Sequence, residues 1–255
     1  MKKRIVLSFI IIILTAFSAC QRGQHSVAVE EEVFTQTVAG GNVDDLTSSN
    51  YTDHEVEINT TYEEEFDAEG GFRVRIIDNG KSVEITGYNG KKTELQIPSH
   101  IKDMPVTVIG NEAFAEKQLI SVKIPDSVTH IGDWAFEENQ LTSVNIPDSV
   151  TSIGDWAFAG NQLLKVSIPD SVTHIGDWAF AGNQLSKVNI PNSVTHIGNW
   201  AFAVNQLTSV NTPNSVVHIG KEAFAHNLLR SVIIPKSVTH IGEEAFDSDV
   251  TIIRN

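Results

Sequence analysis

The stretch Ile168–Leu185, IPDSVTHIGDWAFAGNQL, returns almost letter for letter from Ile124, Ile146 and Ile190. A fixed period of this kind means one small unit stacked on copies of itself, and it decides the architecture before any residue is read as a site. The glycines Gly110, Gly132, Gly154, Gly176, Gly198, Gly220 and Gly242 are each 22 residues apart, as are the prolines from Pro125 to Pro235. The unit is I-P-x-S-V-T-x-I-G-x-x-A-F-x-x-N-Q-L-x-x-V-x. Its Ala-Phe pair occurs seven times, from Ala113-Phe114 to Ala245-Phe246, so seven coils are expected.

Within the unit, L-x-x-V-x-I alternates as a half-buried strand does. Proline has no N–H to give a central ladder, so Pro-x-Ser makes a corner and V-T-x-I is a second short strand. The glycine permits a sharp turn, and x-x-Ala-Phe predicts one helical or 3₁₀ turn that drops Phe inside. One coil has too few apolar side chains to offset the ordering of its backbone. Stacked coils share a core and extend two ladders of backbone bonds, which predicts a repeat solenoid about 35 Å long at ~4.8 Å per rung.

The phrasing L-x-x-V-x-I-P-x-S-V-T-x-I-G-x-x-A-F, as in Leu163–Phe180, resembles the BspA-like, or treponemal-type, leucine-rich repeats of bacterial surface antigens. The resemblance covers about residues 72–255, including ITGYNGKKTELQIPSHIKDMPVTVIGNEAF with its longer Pro98–Gly110 loop. It implies a leucine-rich-repeat-like right-handed β-solenoid with short strands, one helical or 3₁₀ turn per 22-residue coil and an N-terminal β-hairpin cap. Asn139, Asn161, Asn183, Asn205 and Asn227 stand where many members of that family have Cys, and such a ladder can satisfy turn backbone groups.

Four segments follow. Residues 1–20 have a basic start at Lys2, Lys3 and Arg4, an apolar run too short to span a bilayer, and Phe17-Ser18-Ala19-Cys20, which resembles a lipobox with Cys20 acylated. Plain secretion after cleavage is the alternative. Residues 21–71 carry 13 acids and one base, a self-repelling, disordered tether. Residues 72–97 read as a capping hairpin turning at Asp78-Asn79-Gly80, and 98–255 as the solenoid, closed by Val250–Ile253. Outer-membrane, surface-exposed placement is what the lipobox with Gln21 after it implies by resemblance.

Formal charge is −14, and −17 once the three leader cations are gone, so nucleic acid is not an expected partner. Cys20 is the only cysteine, which leaves no thiol chemistry in the folded part. Ser, Thr, His and Asp recur at equivalent positions and stack on their own copies, whereas an active site needs unlike groups converging on one point. No enzyme activity, cofactor or metal is expected. The histidines His174, His196, His218 and His240, with His130 beyond Ser152, form a column rather than a tetrahedral ligand set. Charging it near pH 6.5 would set like charges against one another.

Two rows are candidates for binding. Trp134, Trp156, Trp178 and Trp200 form an aromatic stripe in a slot that holds Glu elsewhere (Glu112, Glu222, Glu244), so at least half exposure is expected. The stripe is either a contact surface or a local lid on the neighbouring turn. On the strand face sit Asn145, Ser167, Asn189 and Asn211, flanked by Lys165 and Lys187. The resemblance makes these the concave binding face. It also implies an adhesin that engages a protein or glycan on host or bacterial surfaces, such as host matrix proteins, host cells or other bacteria. A spacer whose repeats supply only length is the alternative.

Overall fold

The computed structural model describes residues 65–255. The leader with Cys20, and the acidic segment as far as residue 64, lie outside the described residues. The chain opens with β1 (Glu65–Ala68), β2 (Phe72–Ile77), β3 (Ser82–Tyr88), β4 (Glu94–Gln96), β5 (His100–Ile101) and β6 (Met104–Ile109). Each coil then contributes one strand after its Leu and one before its Gly. These are β7 (Ser121–Lys123), β8 (His130–Ile131), β9 (Ser143–Asn145), β10 (Ser152–Ile153), β11 (Lys165–Ser167) and β12 (His174–Ile175). There follow β13 (Lys187–Asn189), β14 (His196–Ile197), β15 (Ser209–Asn211), β16 (His218–Ile219), β17 (Ser231–Ile234), β18 (His240–Ile241) and β19 (Thr251–Arg254).

The 22-residue period becomes a ladder in register. From β3 the sheet runs through β6, β8, β10, β12, β14, β16 and β18, all parallel, with Ile153 on Ile175 and Ile197 on Ile219. Strand β3 supplies a rung ahead of the seven sequence coils, so the ladder has eight. Its β2–β3 hairpin is antiparallel and turns at Asp78-Asn79-Gly80, all three with φ between 53° and 84°. Strand β1, which lies inside the segment read as tether, pairs antiparallel with β2. Tyr88 and Phe72 lie against Phe114 at 5.7 and 6.4 Å between ring centroids and seal that end of the core.

The strand face differs from a second continuous ladder. Its strands pair two by two, β4–β7, β9–β11, β13–β15 and β17–β19. Between pairs the coils stay joined just upstream, where Gln140 N–H donates to Leu119 O at 2.8 Å, and Gln184 N–H to Leu163 O and Leu228 N–H to Leu207 O, each at 3.0 Å.

The Ala-Phe segment is not a helical or 3₁₀ turn. Trp134, Trp156, Trp178 and Trp200 have φ of 54–60°, and four residues on Glu138, Gly160, Gly182 and Val204 have 50–64°. Left-handed residues at both places end any helix. They turn alternate N–H groups outward to the next coil. Trp156 donates to Asp177 O at 2.8 Å, Phe158 to Ala179 O at 2.9 Å and Gly160 to Ala181 O at 3.0 Å, while Ala159 closes a turn on Trp156 O. Every coil thus gains a third ladder built from stacked turns, which offsets the steric cost of each left-handed residue.

The repeat glycine is needed for a different reason than a turn. Its φ is ordinary, but a Cβ on Gly176 would lie 2.6 Å from the carbonyl carbon and oxygen of Gly154 in the preceding coil. Inside, Phe114, Phe136, Phe158, Phe180, Phe202, Phe224 and Phe246 stack at 5.1–5.5 Å between successive rings. Beside them the buried Asn column knits coils together. Asn183 Nδ2 donates to the carbonyls of Phe158, Phe180 and Ala181, and its Oδ1 accepts the Leu163 N–H.

Candidate functional site

The strand face is built by alternation. Val144 and Val188 point inward at 6% exposure, which turns Ser143, Asn145, Lys187 and Asn189 to solvent. Lys165 pairs with Ser143 and Ser167 with Asn145; Lys187 pairs with Ser209 and Asn189 with Asn211. All six candidate residues of this face, Asn145, Ser167, Asn189, Asn211, Lys165 and Lys187, are exposed, and the parallel register sets them in two rows.

The tryptophans form a row of another kind. Trp156 and Trp178 stack at 4.4 Å and 9°, Trp178 and Trp200 at 4.6 Å and 3°, and His226 follows at 6.1 Å from Trp200. All four Trp are partly buried, below the half exposure expected, and Trp156, Trp178 and Trp200 cover one another ring on ring. Where the Trp slot reverts to Glu222, Lys221 Nζ covers the carboxylate at 3.6 Å.

The histidine column stacks too. His174 and His196 are 4.7 Å apart, His196 and His218 5.7 Å, and His218 and His240 4.4 Å. Thr195 Oγ1 lies 3.2 Å from Thr173 O and 2.9 Å from His196 Nδ1, so the hydroxyl bridges the preceding coil and the imidazole. Burial and the flanking His240 and His196 hold His218 below its ordinary pKa, with Asp177 pulling the other way. Among the described residues, no group of three or more His, Cys, Asp or Glu is placed to hold a metal ion.

Two features escaped the sequence reading. Glu137 occupies a slot that is Ala159, Ala181, Ala203 and Ala225 in later coils, and it is only 8% exposed. Burial first, then Glu138, Glu116 and Glu112, push its pKa from 4.5 up to about 7. The departure from Ala was the available signal. The second is a groove of about 540 Å³ between β15 and β17, where Thr212 stands in the slot of a buried Ile.

With this geometry in view, comparison with known proteins is direct. The chain matches the BspA type Leucine rich repeat region in six copies, over residues 88–203 and 135–253. It is similar to the leucine rich repeat protein TpLRR of T. pallidum, with 28% identity and a TM-score of 0.61 over 69% of this chain and 85% of that one. The pneumococcal vaccine antigen PcpA shares the fold, with 20% identity and a TM-score of 0.51 over 74% of this chain and 49% of its own. A leucine-rich repeat protein from Bacteroides ovatus aligns with 22% identity and a TM-score of 0.46, over 74% of this chain and 66% of its own. No curated protein is significantly similar in sequence. With six matched copies spread over residues 88–253, the chain belongs to the BspA type leucine-rich repeat family.

Proposed function

We propose that the chain is a non-enzymatic cell-surface binding protein of adhesin type, recognising host matrix proteins, host cells or other bacteria. It is held at the envelope by a lipid on Cys20. The observation that carries this reading is the strand face, where Lys165, Lys187, Asn145, Ser167, Asn189 and Asn211 stand exposed in register over a rigid core. Small polar side chains and two cations on parallel strands make an extended contact surface without any convergent catalytic set. The Trp156–Trp178–Trp200 stack supplies a second, aromatic surface whose rings are already engaged in stacking on one another.

Binding to immobilised matrix proteins and glycans tests the reading. A strand-face variant (Lys165→Ala, Lys187→Ala, Asn189→Ala) should lose the binding of the native chain, and one with all four tryptophans changed to Ser should keep most of it. If the Trp variant alone loses binding, the contact surface is the aromatic stripe. If the native chain binds nothing in the panel, the spacer reading takes its place; near-identity of the central coils, which fits duplication for length, is the observation favouring that reading. For the anchor, Cys20→Ser should move the protein from the membrane fraction to the medium or the soluble fraction.

A further inference from the structure

The repeat is least regular at its sixth corner. Where other coils bury Ile124, Ile146, Ile168, Ile190 and Ile234, this one has Thr212, which is smaller, 7% exposed, and carries a hydroxyl with no hydrogen-bond partner. The next serines in the chain share that condition. Ser149 and Ser193 donate to the carbonyls of Val128 and Val172 at 2.6 Å, yet Ser215 and Ser237, in the same slot of the last two coils, have buried hydroxyls without a partner. A buried hydroxyl left unpaired costs free energy, and three at adjoining corners need an explanation.

The groove lies beside Thr212, which lines it, whereas Ser215 and Ser237 do not. It opens at a junction where β15 and β17 are not paired, and the shorter Thr212 side chain helps to form it. Asn192, Asn211 and Asn214 line it as exposed amides, each able both to donate and to accept. Val210, Pro213 and the 52% exposed Ile233 give it apolar patches. None of its lining side chains is ionisable. Earlier corners differ, with Asp126, Asp148 and Asp170 in the slot that Asn192 and Asn214 fill here.

We propose that the groove between β15 and β17 is a binding subsite for a neutral sugar residue of a glycan. A hexose presents hydroxyls that donate and accept around its edge and C–H faces above and below. A lining whose side chains are amides, hydroxyls and aliphatic groups matches that chemistry and brings no side-chain charge to pair with a sulfate, a carboxylate or an ammonium group. The subsite deepens the reading of the chain as a binding protein and rests on it, but it depends on neither the tryptophan row nor the two lysines.

The test uses the full chain and titration calorimetry with chitotriose, maltotriose and lactose, with a sulfated heparin tetrasaccharide and an extended neutral peptide as comparators. The groove variant is Thr212→Ile with Asn211→Ser. Both residues are ones that other coils use in those slots, so the fold is kept and the thermal midpoint should hold or rise. The native chain should bind at least one neutral oligosaccharide, the groove variant should bind it at least about tenfold more weakly, and Trp178→Ser should bind it as the native chain does. The proposal is overturned if no neutral sugar binds, if the groove variant binds equally well, if only the sulfated sugar or the peptide is captured, or if Trp178→Ser alone removes the affinity. Matrix binding that persists while every sugar fails would sink the subsite and leave the broader function standing.

Discussion

Asn183 reaches one coil back to Leu163, whose backbone N–H donates to its Oδ1 at 3.0 Å. The same amide gives its Nδ2 hydrogens to Phe158 O in the previous coil and to Phe180 O and Ala181 O in its own. One buried side chain thus closes a turn and ties two coils together. Asn139, Asn161, Asn205 and Asn227 repeat the arrangement.

Replacing Asn183 by Ala should therefore be costly out of proportion to its size. It leaves an N–H and up to three carbonyls unpaired in the core, at about 2–4 kcal/mol. Because coils are stabilised through their neighbours, the loss should spread to both sides of the substitution. Urea unfolding should show a lower midpoint, and amide exchange should rise at Leu163. A loss below about 1 kcal/mol would mean that water can replace the amide there.

The glycine column makes a separate prediction. At Gly176 the atoms that a Cβ would meet are Gly154 C and O at 2.6 Å and Asp155 N at 2.8 Å, all backbone and unable to swing aside. Gly176→Ala must push two coils apart and weaken the ladder across β10–β12, costing roughly 1–3 kcal/mol or more. A variant with native thermal stability would show that the coils can slide without losing their register.

How much of this was legible in the letters depends on what kind of fact each residue expressed. Phe158 and Ile175 were readable because burial repeats with the period, and the period is visible. The left-handed Trp178 was not, since positive φ is normally announced by Gly or Asn and a bulky residue conceals it. Only Gly160 and Gly182, four residues after Trp156 and Trp178, hinted at such backbone. Gly176 was read as a turn former; its true constraint is a contact with a coil 22 residues away, which no local pattern carries. For Thr212 the broken letter was plain, and its meaning waited on the strands beside it.

Glu137 should make stability depend on pH in a direction unusual for a carboxylate. Its pKa in the folded chain is raised from 4.5 to about 7, chiefly by burial and then by Glu138, Glu116 and Glu112. Between those values the folded state holds a proton that the unfolded state releases, so stability falls as pH rises from about 4.5 through 7. Glu137→Ala restores the residue of the later coils. It should raise the unfolding midpoint at pH 8 more than at pH 5, by on the order of 2 kcal/mol in difference. The same gain at both values would show that Glu137 is ionised throughout.

His218 should act in the opposite sense. It stacks between His196 at 5.7 Å and His240 at 4.4 Å, and its pKa lies below 6.5 because of burial and those two rings, against the pull of Asp177. With a depressed folded value, the unfolded chain binds more protons below pH 6.5, so the column's contribution is present above 6.5 and is lost as pH falls. The loss is then electrostatic, through rings packed face to face, and it should weaken in high salt. The measurement is the thermal midpoint at pH 7.5 and 5.5, made in the Glu137→Ala background to remove the competing carboxylate. The parent should lose more on acidification than the variant with His174, His196, His218 and His240 changed to Gln. Equal losses would sink the idea, and a His218 ring titrating at or above 6.5 by NMR would do so independently.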